Sequence, residues 1–162
     1  MHIENFDLLK GMQRDFNMAF MDLAIKEEHK EGGSLFRQGD KAGNFYILVK
    51  GNVRLSIGDV GHVVHTVDHA GGAFGWSSLL DLEVYSASAE CRMPTEVLKF
   101  DVEKLRKVFE TYPASAHIFF KRLASIIGNR LLQSYKTIAK GPQAEISTSF
   151  GTGQVLETTP AQ

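Results

Sequence analysis

The sequence predicts an α+β fold: an antiparallel β-roll of the double-stranded β-helix or jelly-roll type, with helices at the N-terminal end and one long helix at the C-terminal end. Three observations carry this. Between Asn44 and Phe100, short segments rich in Val, Ile and aromatics (FYILVKGNVRLSI, HVVHTV, SASAEC, EVLKF) alternate with turn residues at Gly51-Asn52, Gly58-Asp59, Gly61 and Gly71-Gly72. That is the pattern of consecutive antiparallel strands. Helical periodicity flanks the region on both sides. The last stretch free of internal proline, from Pro113 to Lys140, is long enough for a helix of roughly 42 Å at 1.5 Å per residue.

Taken in chain order, residues 5 to 29 place Leu8, Leu9, Phe16, Phe20, Leu23 and Ala24 at helical spacing with charges between them, and predict one or two amphipathic helices. EGGSLFRQGD then breaks the period with its glycines and opens the strand region. Inside that region GWSSLLDLE lacks strand alternation; it reads as one helical turn after a glycine and is the expected functional loop. Asp101 is a suitable N-cap for the helix VEKLRKVFETY, and Glu103 suits the positive end of its dipole. Pro113 ends that helix and opens the next, which Gly141-Pro142 stops. Residues 1–140 are expected to form one domain, and 141–162, rich in Ser, Thr, Gly and Pro, a flexible tail.

Composition narrows the function. With 18 basic against 19 acidic side chains, the net charge of −1 gives no broad cationic field, so direct nucleic-acid binding is not expected. The 22 residues after Lys140 are too few for a helix-turn-helix module. MHIENFDLLK has neither a basic nor an apolar leader region, and no apolar run approaches the roughly 20 residues that cross a bilayer. One cysteine, Cys91, favours a reducing compartment and hence a cytoplasmic protein. No enzyme is expected: G-x-S-x-G and the phosphate-cradling G-x-x-x-x-G-K-[ST] loop are both absent.

Within GGSLFRQGDKAGNFYILVKGNVRL, the residues Gly33, Phe36, Gly39, Asp40, Tyr46, Leu48, Gly51 and Val53 form a pattern of glycines, a charged turn and strand alternation. It resembles the first strands of the cyclic-nucleotide-binding domain family, which includes Crp/Fnr regulators and the regulatory subunits of cyclic-AMP-dependent kinases. GGAFGWSSLLDLEVYSASAEC corresponds to that family's phosphate-binding cassette. The resemblance spans roughly residues 10 to 140 and implies a non-enzymatic regulatory module for ligand sensing and signal transduction. In members that bind cyclic nucleotides, a Glu after the cassette glycine meets the ribose and an Arg about ten residues on pairs with the phosphate.

This chain departs from the pattern at both ligand-defining positions. Trp76 follows Gly75 where the Glu is expected, and Tyr85 precedes Ser86-Ala87 where the Arg is expected. Loss of one partner of a buried charge pair costs about 3–5 kcal/mol, or roughly two to four decades of affinity, so tight binding of cyclic AMP or cyclic GMP is not expected. Arg92, seven positions after Tyr85, is expected to be exposed and no substitute. The implied ligand site comprises Gly75, Trp76, Ser77, Ser78, Tyr85 and Ser86, with Arg130 approaching from the long helix. Two readings stand side by side: a different, unidentified small-molecule ligand against an aromatic wall, or an interaction scaffold whose pocket Trp76 and Tyr85 plug.

His62, His65 and His69 are read as surface histidines on a hairpin, since strand alternation puts 62 and 65 on opposite faces. The cofactor is unknown; haem, held by one of these or by Cys91, is a minor alternative that no C-x-x-C-H motif supports. A DNA-binding regulator is another. On the long helix Ala116, Phe119 or Phe120, Leu123, Ile126, Ile127, Leu131, Tyr135 and Ile138 form an apolar seam whose second half outruns the roll. Because the family uses this helix as a dimer interface, a homodimer through residues 113–140 is expected, with Asn129 and Arg130 near the ligand, and a protein partner receiving the signal.

Overall fold

The structure is a computed structural model and describes residues 6–140; the predicted tail, 141–162, lies outside the described residues. A short helix α1 (Arg14–Met21) precedes eight strands: β1 (Ile25–His29), β2 (Ser34–Phe36), β3 (Asn44–Lys50), β4 (Val53–Ile57), β5 (His62–Val67), β6 (Ala73–Phe74), β7 (Ser88–Cys91) and β8 (Thr95–Asp101). A 3₁₀ turn, Trp76–Leu79, separates β6 from β7, and helices α2 (Val102–Thr111) and α3 (Pro113–Ala139) follow. The strands form two antiparallel four-stranded sheets, ordered β1-β8-β3-β6 and β2-β7-β4-β5. This is the expected β-roll with helices at both ends.

Strand β3 shows how the layers are made. Phe45 and Ile47 belong to a core shared with α1, α2 and α3 (Phe16, Phe20, Leu105, Phe119), whereas Tyr46 and Leu48 belong to the interior of the roll with Phe36, Phe74, Cys91 and Val97. The period of two sorts successive side chains into two cores. Both faces of the strand are therefore apolar, which is why NFYILVK reads as a continuous hydrophobic run.

The N-terminal segment corrects the expectation of helix through residue 29. Helix α1 stops at Met21, and Ile25–His29 is an edge strand paired with β8. Its charges, which look like a solvated helical face in sequence, make cross-strand pairs: Lys26 with Glu96 at 2.9 Å, and Glu27 with Lys99. Tertiary pairing overrides local propensity here.

The other helices follow their signals. The Asp101 carboxylate accepts from the Lys104 amide at 3.0 Å and caps α2. Pro113 occupies the first turn of α3, where its missing N–H costs nothing. The first half of α3 packs down through Ser115, Ala116, Phe119 and Leu123, whereas Leu131, Leu132, Tyr135 and Ile138 are exposed. Among the described residues no helix is long and apolar enough to cross a membrane.

Candidate functional site

Gly75 opens the cassette in the left-handed region, at φ 71°. A Cβ there would lie 2.9 Å from the Tyr46 ring and 3.2 Å from the Asn44 carbonyl, so only glycine fits both the turn and the space. The 3₁₀ turn it starts is fixed from within: the Ser78 hydroxyl donates to the Gly75 carbonyl at 2.9 Å. The two ends of the cassette meet where the Ser77 and Ser86 hydroxyls lie 3.3 Å apart.

Against this turn, β4, β5 and the middle of α3 enclose a cavity of about 370 Å³. Its walls are mainly apolar, from Phe36, Leu55, Ile57, Val64, Ile127 and Leu131, and its polar groups come from His65, Ser77, Ser86, Ser134 and Arg130. Six of the seven residues singled out in the sequence line it: Gly75, Trp76, Ser77, Tyr85, Ser86 and Arg130. Ser78 does not. Its hydroxyl is turned inward to Gly75, because a buried O–H must find an acceptor and the nearest carbonyl is in its own turn.

Neither aromatic side chain fills the space. Trp76 packs against the helical core at the cavity edge, and Tyr85 is buried flat against Phe36. The Tyr85 hydroxyl donates to the Asn44 carbonyl at 2.8 Å and accepts from the Asn44 amide at 3.0 Å. Burial raises its pKa, a backbone hydrogen bond at Asn44 opposing this, and the phenol stays neutral. The structure thus runs against the plugged reading, and the Tyr85 hydroxyl is already committed elsewhere.

Arg130 is the cation of the site. One Nη donates to the Ala73 carbonyl at 2.5 Å, while the enclosed Nη1 finds no acceptor among the described residues. Among the described residues no carboxylate lies within ion-pair distance of it. Burial pushes the guanidinium down to about 10, which leaves it charged at neutral pH. Its neighbour Asn129 is exposed and does not line the cavity. Arg92 is exposed beside Glu90, as expected of it.

His65 departs from the surface reading of the three histidines. His62 and His69 are exposed, but His65 is half-buried and lines the cavity, with its imidazolium disfavoured first by burial and then by Arg130. The register between β4 and β5 shifts at Leu55/Ser56, where Leu55 pairs His65 and Ser56 pairs Val63. Val64 is the extra residue of this bulge, so Val64 and His65 both line the cavity despite being adjacent. Strict alternation in the sequence hides this. Cys91, by contrast, is fully buried inside the roll, and burial raises its thiol pKa.

Comparison with known proteins gives a consistent picture. The sequence profile of the cyclic nucleotide-binding domain family matches residues 26–112. A cyclic nucleotide-binding domain from Methylobacillus flagellatus superposes with a TM-score of 0.74 at 19% identity, covering 89% of this chain and 82% of that one. The sensor domain of the transcriptional regulator DNR from Pseudomonas aeruginosa gives 0.65 at 17% identity, over 80% of this chain and 88% of the other. The regulatory subunit of a cAMP-independent protein kinase A from Trypanosoma brucei gives 0.63 at 19% identity, covering 76% of this chain but 44% of that subunit.

Proposed function

The chain belongs to the cyclic nucleotide-binding domain family, and from that premise we propose that it is a non-enzymatic sensor: a small molecule enters the cavity between the cassette and α3, and the response passes on through protein contacts. One observation carries the proposal. The cavity remains open at about 370 Å³ although both charged positions of the family's nucleotide site hold aromatics, and this volume lies within the range of small-molecule sites, about 300–1,000 Å³.

The ligand is not a tightly held cyclic nucleotide, because Trp76 and Tyr85 stand where the ribose-binding Glu and phosphate-binding Arg are expected. The Trypanosoma brucei regulatory subunit, which belongs to a protein kinase A described as cAMP-independent, offers a parallel among similar folds. The output runs through α3, which meets the cavity at Ile127, Arg130, Leu131 and Ser134 and exposes Leu132, Tyr135 and Ile138 beyond it. A homodimer along this helix covers that row, and a ligand biases its packing.

The chain contains one tryptophan, Trp76, and it lines the cavity, so its emission reports occupancy directly. A metabolite screen read by Trp76 fluorescence and thermal shift is expected to find saturable binders that stabilise the fold. No binder across a broad library, with the cavity empty in protein purified from cells, would overturn the sensor proposal.

A further inference from the structure

The unpaired guanidinium is the feature of the cavity that the sensor proposal leaves unused. Arg130 projects from α3 to the Ala73 carbonyl at the entrance to the cassette, and its enclosed Nη1 has no acceptor among the described residues. A buried donor on a charged group left without an acceptor is costly, so native structures keep few of them. Trp76, at the position where a carboxylate is expected, supplies no acidic partner.

The rest of the cavity is poorly suited to a nucleotide. Its walls are Phe36, Leu55, Ile57, Val64, Ile127 and Leu131, and of its three serine hydroxyls those of Ser77 and Ser86 face each other at 3.3 Å. A ribose and a purine edge would leave several polar atoms without partners, at a cost for each. A compact apolar body with one charged end leaves none. A single cation matches a single negative charge, and the guanidinium fork matches the two oxygens of a carboxylate. A phosphate monoester dianion would keep half its charge uncompensated in an apolar pocket, whereas the singly charged phosphodiester of a cyclic nucleotide is disfavoured by its ribose and purine.

We infer that the ligand of this cavity is a small amphipathic carboxylate, its apolar body between β4, β5 and α3 and its carboxylate on Arg130. This rests on the sensor proposal above and specifies its ligand class. The anion is received from the helix side, by a residue outside the cassette. It meets the guanidinium where Arg130 lines the cavity, supplying the acidic partner that Arg130 lacks among the described residues.

The test titrates the full chain with 4-phenylbutyrate and with the uncharged 4-phenyl-1-butanol, together with a panel of aryl and medium-chain alkyl carboxylates, each paired with its alcohol, following Trp76 emission. At least one carboxylate is expected to saturate and to bind about tenfold or more tightly than its alcohol, the scale of a charge-assisted hydrogen bond. Arg130→Gln should abolish that preference and Arg130→Lys should retain part of it; circular dichroism melts of both variants establish that they fold. Should Arg130→Gln not fold, the Lys variant and the acid-to-alcohol ratio of the unmodified chain still decide the matter. Equal affinity for acids and alcohols overturns the carboxylate inference and leaves the sensor proposal standing. Binding confined to cyclic AMP, or to uncharged molecules from the wider library, does the same. Failure of every compound in both collections removes both.

Discussion

Tyr85 lies flat on Phe36, with ring centroids 3.9 Å apart and 16° between the planes, and its hydroxyl is tied to both the amide and the carbonyl of Asn44. The side chain that replaces the expected arginine is thus a fixed part of the roll. Tyr85→Phe keeps the stack and removes the two hydrogen bonds, and is expected to cost about 1–2 kcal/mol of stability in urea unfolding. Ligand binding read by Trp76 should change by less than about twofold, since the hydroxyl has no free donor to offer it.

Cyclic AMP provides a second check. With neither of the two charged partners present, and about 3–5 kcal/mol lost with each such partner from a buried pair, its dissociation constant is expected to be weaker than about 100 μM by isothermal titration calorimetry. Tighter, stoichiometric binding would mean that the cassette holds the phosphate by other groups.

The fold was legible in the sequence because its signals are local and redundant. Glycines at 33, 39 and 51, the Asp101 cap, and Pro113 at the head of α3 each mark a boundary that the structure keeps. Ile25–His29 was not legible: IKEEH has no alternation of its own, and only the pairing of Lys26 and Glu27 with β8 makes it a strand. In the site, the glycine, the flanking aromatics and Arg130 could be named because the sequence resembles the family's cassette and its helix. What spacing could not give was direction. The inward turn of Ser78, the commitment of the Tyr85 hydroxyl to Asn44 and the bulge that brings His65 to the cavity depend on neighbours distant in sequence or on one extra residue in a strand.

Gly75 should tolerate no side chain. Gly75→Ala combines a left-handed backbone with a contact of 2.9 Å on a Tyr46 ring that is itself backed by Phe74, stacked at 5.3 Å. The expected loss is about 2–4 kcal/mol in chemical denaturation, from backbone strain and overpacking together. Gly39→Ala, at φ +89° but with open space around it, should lose only the backbone part, about 1–2 kcal/mol.

His65 makes stability depend on pH. Burial, then the Arg130 charge, lowers its pKa from the ordinary 6.5; Asp68 favours the imidazolium and His69 opposes it. Unfolding therefore takes up a proton below the ordinary value. Stability linked to this residue is complete above about pH 6.5 and falls as the pH drops through the folded-state value. His65→Gln should flatten that part of the profile, seen as the difference between the two proteins' melting temperatures from pH 7.5 to 5. A parallel slope in both would remove the role given to His65.

The hydrogen bond from Arg130 to Ala73 is the only one joining α3 to the two sheets among the described residues. On the sensor proposal above, it would serve as a fulcrum. Beyond it the helix runs on to Ala139, an arm of roughly 14 Å at 1.5 Å per residue. A tilt of about 10° at Arg130 would swing the far end by roughly 2 Å, a displacement comparable to the helix shifts of about 1–2 Å that switch subunit interfaces. If the proposed carboxylate docks on Arg130, that single contact has the leverage to shift the exposed row of Leu132, Tyr135 and Ile138.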